Sequence, residues 1–146
     1  LLSQYRCSMF ARKAQQANFL LASDNGSGII CFSPLAQGLL TGKYQDGIPA
    51  GSRAARKEGF LQTSQVTPER VEAARQLGAI ARRRGQTLAQ MALAWVLSDA
   101  RVTSLIIGTS SVAQLNANLQ TLDGLDFTTD ELAEIDTLIS NPILSF

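Results

Sequence analysis

The chain has 146 residues, 45% hydrophobic and 17% charged, with a formal net charge of +1 and no histidine. These values suit a soluble globular domain, or a portion of one, and exclude a disordered or fibrous chain. The near-neutral charge gives no electrostatic case for nucleic acid or an anionic membrane surface as partner, and the missing histidine removes imidazole acid–base chemistry and His-ligated zinc from this chain.

In chain order, Leu1 to Gln4 reads as the end of a strand, and Phe10 to Ser23 has helical composition stopped by the turn residues Asp24-Asn25-Gly26. Gly28 to Phe32 is a short apolar run of the kind buried in a parallel sheet, ended by Ser33-Pro34. From Gln37 to Gln65 the chain is rich in Gly, Ser and basic residues with little periodicity, so a long functional or disordered connection is expected. Thr67-Pro68-Glu69 then opens a helix that closes on Arg82-Arg83-Arg84 and Gly85. Thr87 with Gln90 predicts a capping box before a face of Leu88, Met91, Ala92 and Trp95. Val102 to Ile107 is a further buried-strand run. Ser111 with Gln114 starts a helix striped by Leu115, Leu119 and Leu122, and Thr128 with Glu131 starts the last one.

This alternation predicts an α/β fold with a parallel sheet covered on both faces, either a small sandwich or one arc of a (β/α)8 barrel. In both architectures ligands sit at the carboxyl ends of strands. Leu1-Leu2 at the head of a strand-like run, without methionine or a basic-then-apolar leader, points to a segment of a longer fold. Cys7 and Cys31 lack CxxC spacing, which suits a reducing, cytoplasmic setting. No apolar stretch reaches the ~18–20 residues that span a bilayer, so no membrane insertion is expected.

Two strand ends could carry chemistry. Ile107-Gly108-Thr109-Ser110-Ser111 turns directly into a helix, where free N–H groups and the helix dipole favour an anion, although an ordinary capped turn uses the same residues. Gln114 and Asn118 follow four apart on one helix face. Phe32-Ser33-Pro34-Leu35-Ala36-Gln37-Gly38 could lie along an extended ligand or be a surface loop stiffened by proline. Lys43, Arg53, Arg56 and Lys57 place cations in the long connection, free to face solvent or to close over an anionic cofactor. No metal-ligand cluster and no catalytic constellation is visible.

The strings Phe32 to Tyr44, Ala89 to Trp95 and Ile107 to Asn118 resemble the aldo-keto reductases, in the branch of bacterial glyceraldehyde-3-phosphate reductases and potassium channel β subunits. The resemblance implies the carboxyl-terminal half of a (β/α)8 TIM barrel, from about the sixth strand to the last helix across residues 1–146, with a cofactor-closing loop at about 37–65. It implies NADPH as cofactor and a small aldehyde or ketone as substrate, in a possible homo-oligomer. Gln4 would hold the nicotinamide carboxamide and Phe32 would lie beside the ring. Ser33, Pro34, Leu35, Ala36 and Gln37 would follow the pyrophosphate, and Lys43 and Arg53 would reach the cofactor from the loop. Gly108, Ser110, Gln114 and Asn118 would form the adenosine and 2′-phosphate pocket. Ala117 departs from the glutamate many relatives place there, which leaves the choice between NADPH and NADH open. The family's catalytic aspartate, tyrosine, lysine and histidine come from its amino-terminal half, so the chain alone is expected to be inactive; a truncated relic or a channel-subunit-like regulatory binder is the alternative.

Overall fold

The computed structural model describes residues 1–55 and 60–146, with only the backbone of Arg53. Its centre is a three-stranded parallel sheet in the order β1 (Leu2–Arg6), β2 (Gly28–Phe32), β3 (Val102–Ile106). Tyr5 pairs with Cys31 and Arg6 with Phe32, while Cys31 pairs with Leu105 and Phe32 with Ile106. A register shift between Ile29 and Ile30 is absorbed by Thr103, whose hydroxyl oxygen accepts from the Ile29 N–H at 3.2 Å.

Side chains alternate across a strand, and the two faces meet different surroundings. Ile29 and Cys31 are fully buried beneath the helices. The opposite face carries Leu2, Gln4, Ser104 and Ile106, all exposed. The expected cover on both faces is therefore present on one only. The buried face packs against α4 (Leu88–Leu97), on which α3 (Pro68–Arg83) is laid, and Leu77, Ile80, Met91 and Val96 share one core with Phe10 and Phe19 from the β1–β2 crossover. Each such side chain contributes roughly 1.5–3 kcal/mol of transfer free energy.

Four helices start where their caps predict, the one after Ser111 among them. Thr67 accepts from the Arg70 N–H at 3.3 Å, and capping boxes form at Thr87/Gln90 for α4 and at Thr128/Glu131 for α6 (Thr129–Ile139). One expectation needs correction. The single helix over Phe10–Ser23 is instead α1 (Lys13–Ala17) and α2 (Phe19–Asp24), separated at Asn18. A Ser8–Ala11 bridge draws Phe10 into the core and delays the helix start. Among its described residues, the connection 37–65 carries 3-10 turns at Ala36–Thr41, Arg53–Ala55 and Thr63–Gln65, with Leu39, Leu40, Tyr44 and Leu61 buried. Arg56 and Lys57 lie outside the described residues.

Cys7 and Cys31 are free and buried. Their thiols share a hydrogen bond, which together with burial pushes the Cys7 thiol well above its ordinary range. On α5 (Val112–Leu119), the stripe continued by Leu122 is left exposed, because no described element packs over Leu115, Leu119 or Leu122.

Candidate cofactor site

At the carboxyl end of β2 the backbone leaves the sheet through unusual geometry. Ser33, Ala36 and Gln37 all have positive φ (54°, 47° and 59°), and Gly38 follows at 105°. For a non-glycine residue the left-handed region costs roughly 1–2 kcal/mol, and such strain gathers at functional sites. The turn is held by the Ala36 N–H donating to the Ser33 carbonyl (3.0 Å), the Gly38 N–H to the Leu35 carbonyl (2.9 Å) and the Thr41 hydroxyl to the Gly38 carbonyl (2.7 Å).

At the end of β3 the chain turns at Gly108 into α5. Ser111 caps this helix by accepting from the Gln114 N–H at 3.1 Å. The Gln114 carboxamide does not complete a capping box. Its Oε1 accepts from both the N–H and the hydroxyl of Ser110, at 2.8 and 3.0 Å. An acceptor oxygen thus already sits on the two donors that a bound anion would use.

These two strand ends face each other across a hollow of about 640 Å³, within the range typical of small-molecule sites. Phe32, Ser33, Pro34, Leu35, Gln37 and Lys43 line it from the β2 side, with Gly108, Ser110 and Gln114 opposite. Gly38, Thr41, Tyr44, Gly51, Ile106, Ile107 and Thr109 complete the wall, and no carboxylate is among the lining residues. Lys43 is exposed at the rim. Hydroxyls, main-chain N–H groups and one ammonium, with an aromatic ring at one end, can hold an extended polyanion carrying a flat ring.

Nine of the thirteen predicted residues therefore meet in one place. The other four stand apart. Gln4 is exposed on the open sheet face, and Ala36 is buried rather than on the wall. Asn118 is buried further along α5, its Nδ2 without a hydrogen-bond partner. Arg53 begins a 3-10 turn, and its side chain lies outside the description.

Sequence reasoning missed a neighbouring cluster. Arg6 ends β1 on the same face as Gln4, and its guanidinium lies 4.7 Å from the centroid of the Phe146 ring. Arg70 lies 4.2 Å from the same centroid and donates to the carbonyls of Gln65 (2.9 Å), Leu144 (3.2 Å) and Ser145 (2.7 Å). Burial, and then the like charge of Arg6, lower the pKa of Arg70 from its ordinary value. A signal was available, since a cation in the first turn of a helix opposes the dipole and asks for a tertiary reason.

The aldo/keto reductase family matches residues 1–140. The chain belongs to that family. It is 50% identical over 121 residues to an L-glyceraldehyde 3-phosphate reductase of Escherichia coli K12, covering 81% of this chain and 35% of the relative. It is 39% identical over 119 residues to a putative voltage-gated potassium channel subunit β of Schizosaccharomyces pombe, covering 79% and 35%. The fold matches the solved glycerol dehydrogenase of Gluconobacter oxydans with a TM-score of 0.73 at 21% identity, covering 95% of this chain and 42% of that one. This aldo/keto reductase chain thus spans somewhat over a third of the length of the curated relatives it matches. Its three strands are part of a TIM-barrel sheet, as the resemblance implied, and its hollow lies at the carboxyl ends of β2 and β3, where barrel enzymes place their chemistry.

Proposed function

We propose that the chain is the cofactor-binding part of an NADPH-dependent oxidoreductase that reduces small aldehydes or ketones to alcohols. The observation that carries this reading is the acid-free hollow between the ends of β2 and β3, where a strained turn, hydroxyls and Lys43 face the start of α5. When bound, NADPH supplies the hydride. Phe32 offers a ring wall to the nicotinamide, with Gln4 on the adjacent strand to hold the carboxamide. The main chain from Ser33 to Gln37 runs beside the pyrophosphate. Gly108, Ser110 and Gln114 surround the adenosine end, where an anionic oxygen would take the Ser110 donors and release the Gln114 amide to the ribose or base. Asn118 supports that wall from behind, and Lys43 and Arg53 approach from the loop. The 2′-phosphate gives NADPH more anionic groups for these donors than NADH has.

Catalysis belongs to residues beyond this segment. The unpaired edges of β1 and β3, the exposed face of the sheet and the relatives' greater length support a longer barrel that supplies the proton donor. The free buried cysteines suit a reducing cytoplasm, and among the described residues no helix is long and apolar enough to cross a membrane. Following NADPH consumption with a short-chain aldehyde tests the assignment. The 146 residues alone should give no turnover, and the polypeptide joined to an amino-terminal aldo/keto reductase half should give it. Turnover by the isolated chain, or none by the joined one, would sink the proposal.

A further inference from the structure

Resting on the reading just given, the geometry points to Arg6 as a substrate-selecting residue, one that recognises a carboxylate or phosphate on the carbonyl compound. Arg6 is the register partner of Phe32, which lines the hollow, so it stands one strand away on the same face and at the same carboxyl end of the sheet. Gln4, two residues earlier, shares that face. Arg6 is the cation of β1 and does not itself line the hollow, so its guanidinium would reach a ligand seated against Phe32 from the adjoining strand.

The second observation is that this cation is uncommitted. Arg70, the other guanidinium on the Phe146 ring, spends its donors on three main-chain carbonyls. The Arg6 side chain makes no hydrogen bond or ion pair with any described residue; its contact is the ring face. Stacking engages the plane of a guanidinium and leaves its N–H groups free at the edge, in the fork that fits a carboxylate or phosphate. Glu69, beside Arg70, accepts instead from its own backbone and from Thr67. Two like charges thus rest on one ring without a paired carboxylate among the described residues, an arrangement that an incoming oxyanion relieves.

The test is calorimetric titration of the purified chain with succinate and with inorganic phosphate, against 1,4-butanediol as neutral control, alongside a separate NADPH titration. Wild-type protein should bind one or both anions in a salt-sensitive way and ignore the diol. Arg6→Met, which keeps an apolar stem on Phe146, should weaken anion binding at least tenfold and leave NADPH affinity unchanged; Arg6→Lys should retain part of it. Equal anion affinity in wild type and both variants, or no anion binding by wild type, would overturn the inference. An equal loss of NADPH affinity in Arg6→Met would overturn it too, by assigning the charge to the cofactor. Anion binding without NADPH binding would leave Arg6 standing and remove the cofactor reading, and the reverse result would do the opposite.

Discussion

Asp99 shows how one side chain ties distant segments together. It sits in the turn before β3, where both Arg101 guanidinium donors reach its carboxylate (2.8 and 2.6 Å) and Gln15 of α1 donates from 84 residues away (3.0 Å). The Arg101 hydrogen bonds, followed by those from Gln15 and the Arg101 backbone, outweigh burial and hold its carboxyl below the ordinary aspartate value. An unfolded aspartate titrates near pH ~4. Because the folded value is lower, the stabilisation is complete above pH ~4 and is lost as pH falls through the folded value. Urea melts at pH 6 and at pH 3 should show the wild type losing more stability on acidification than Asp99→Asn; parallel losses would refute this. The reach from Gln15, 84 residues away, was not legible in the sequence. The same is true of Arg84, which the sequence shows only as part of the run Arg82-Arg83-Arg84 that closes α3. It in fact pairs with Glu131, donates to the Asp126 carbonyl and stacks 3.8 Å from the Phe127 ring centroid. Contacts between residues 40 or more apart leave no periodic trace.

At the scale of elements, legibility followed local chemistry. Helices α3, α4 and α6 announce themselves through Thr67, Thr87 and Thr128, because a cap is decided within four residues. The α1–α2 region and the turns of 36–41 do not, because tertiary burial of Phe10, Leu39 and Leu40 decides them. The left-handed run was hidden for a similar reason: Gly38 alone marks it, while Ser33, Ala36 and Gln37 adopt positive φ against their own preference. That strain is measurable. Gln37 is half-buried at φ 59°, and glycine there would meet no Cβ penalty. Gln37→Gly should raise stability by up to about 1 kcal/mol in denaturant melts, net of the added backbone entropy, while weakening NADPH binding. A variant less stable than wild type by a similar amount would show that the side chain, and not the strain, dominates at this position.

Across the whole molecule, the parallel sheet was readable because strands joined by helical crossovers pair in parallel, and the structure puts them in the order β1-β2-β3. The uncovered sheet face and the exposed Leu115, Leu119 and Leu122 were not readable, since an apolar stripe marks a surface that wants cover without saying whether the cover is present. The hollow was legible in nine of its residues, because both of its walls are continuous strings at strand ends. Gln4 was placed in it by resemblance and Asn118 also by its spacing from Gln114, and the structure sets them on the open face and along α5 away from the lining. What holds these observations together is that the two strand ends form one cofactor grip within an aldo/keto reductase segment. Fluorescence titration of the purified chain with NADPH tests this most directly. The account predicts saturable binding that NADP⁺ displaces and that Lys43→Ala combined with Ser110→Ala weakens at least tenfold. A well-folded chain that shows no saturable signal, or a double variant that binds as well as wild type, would contradict it.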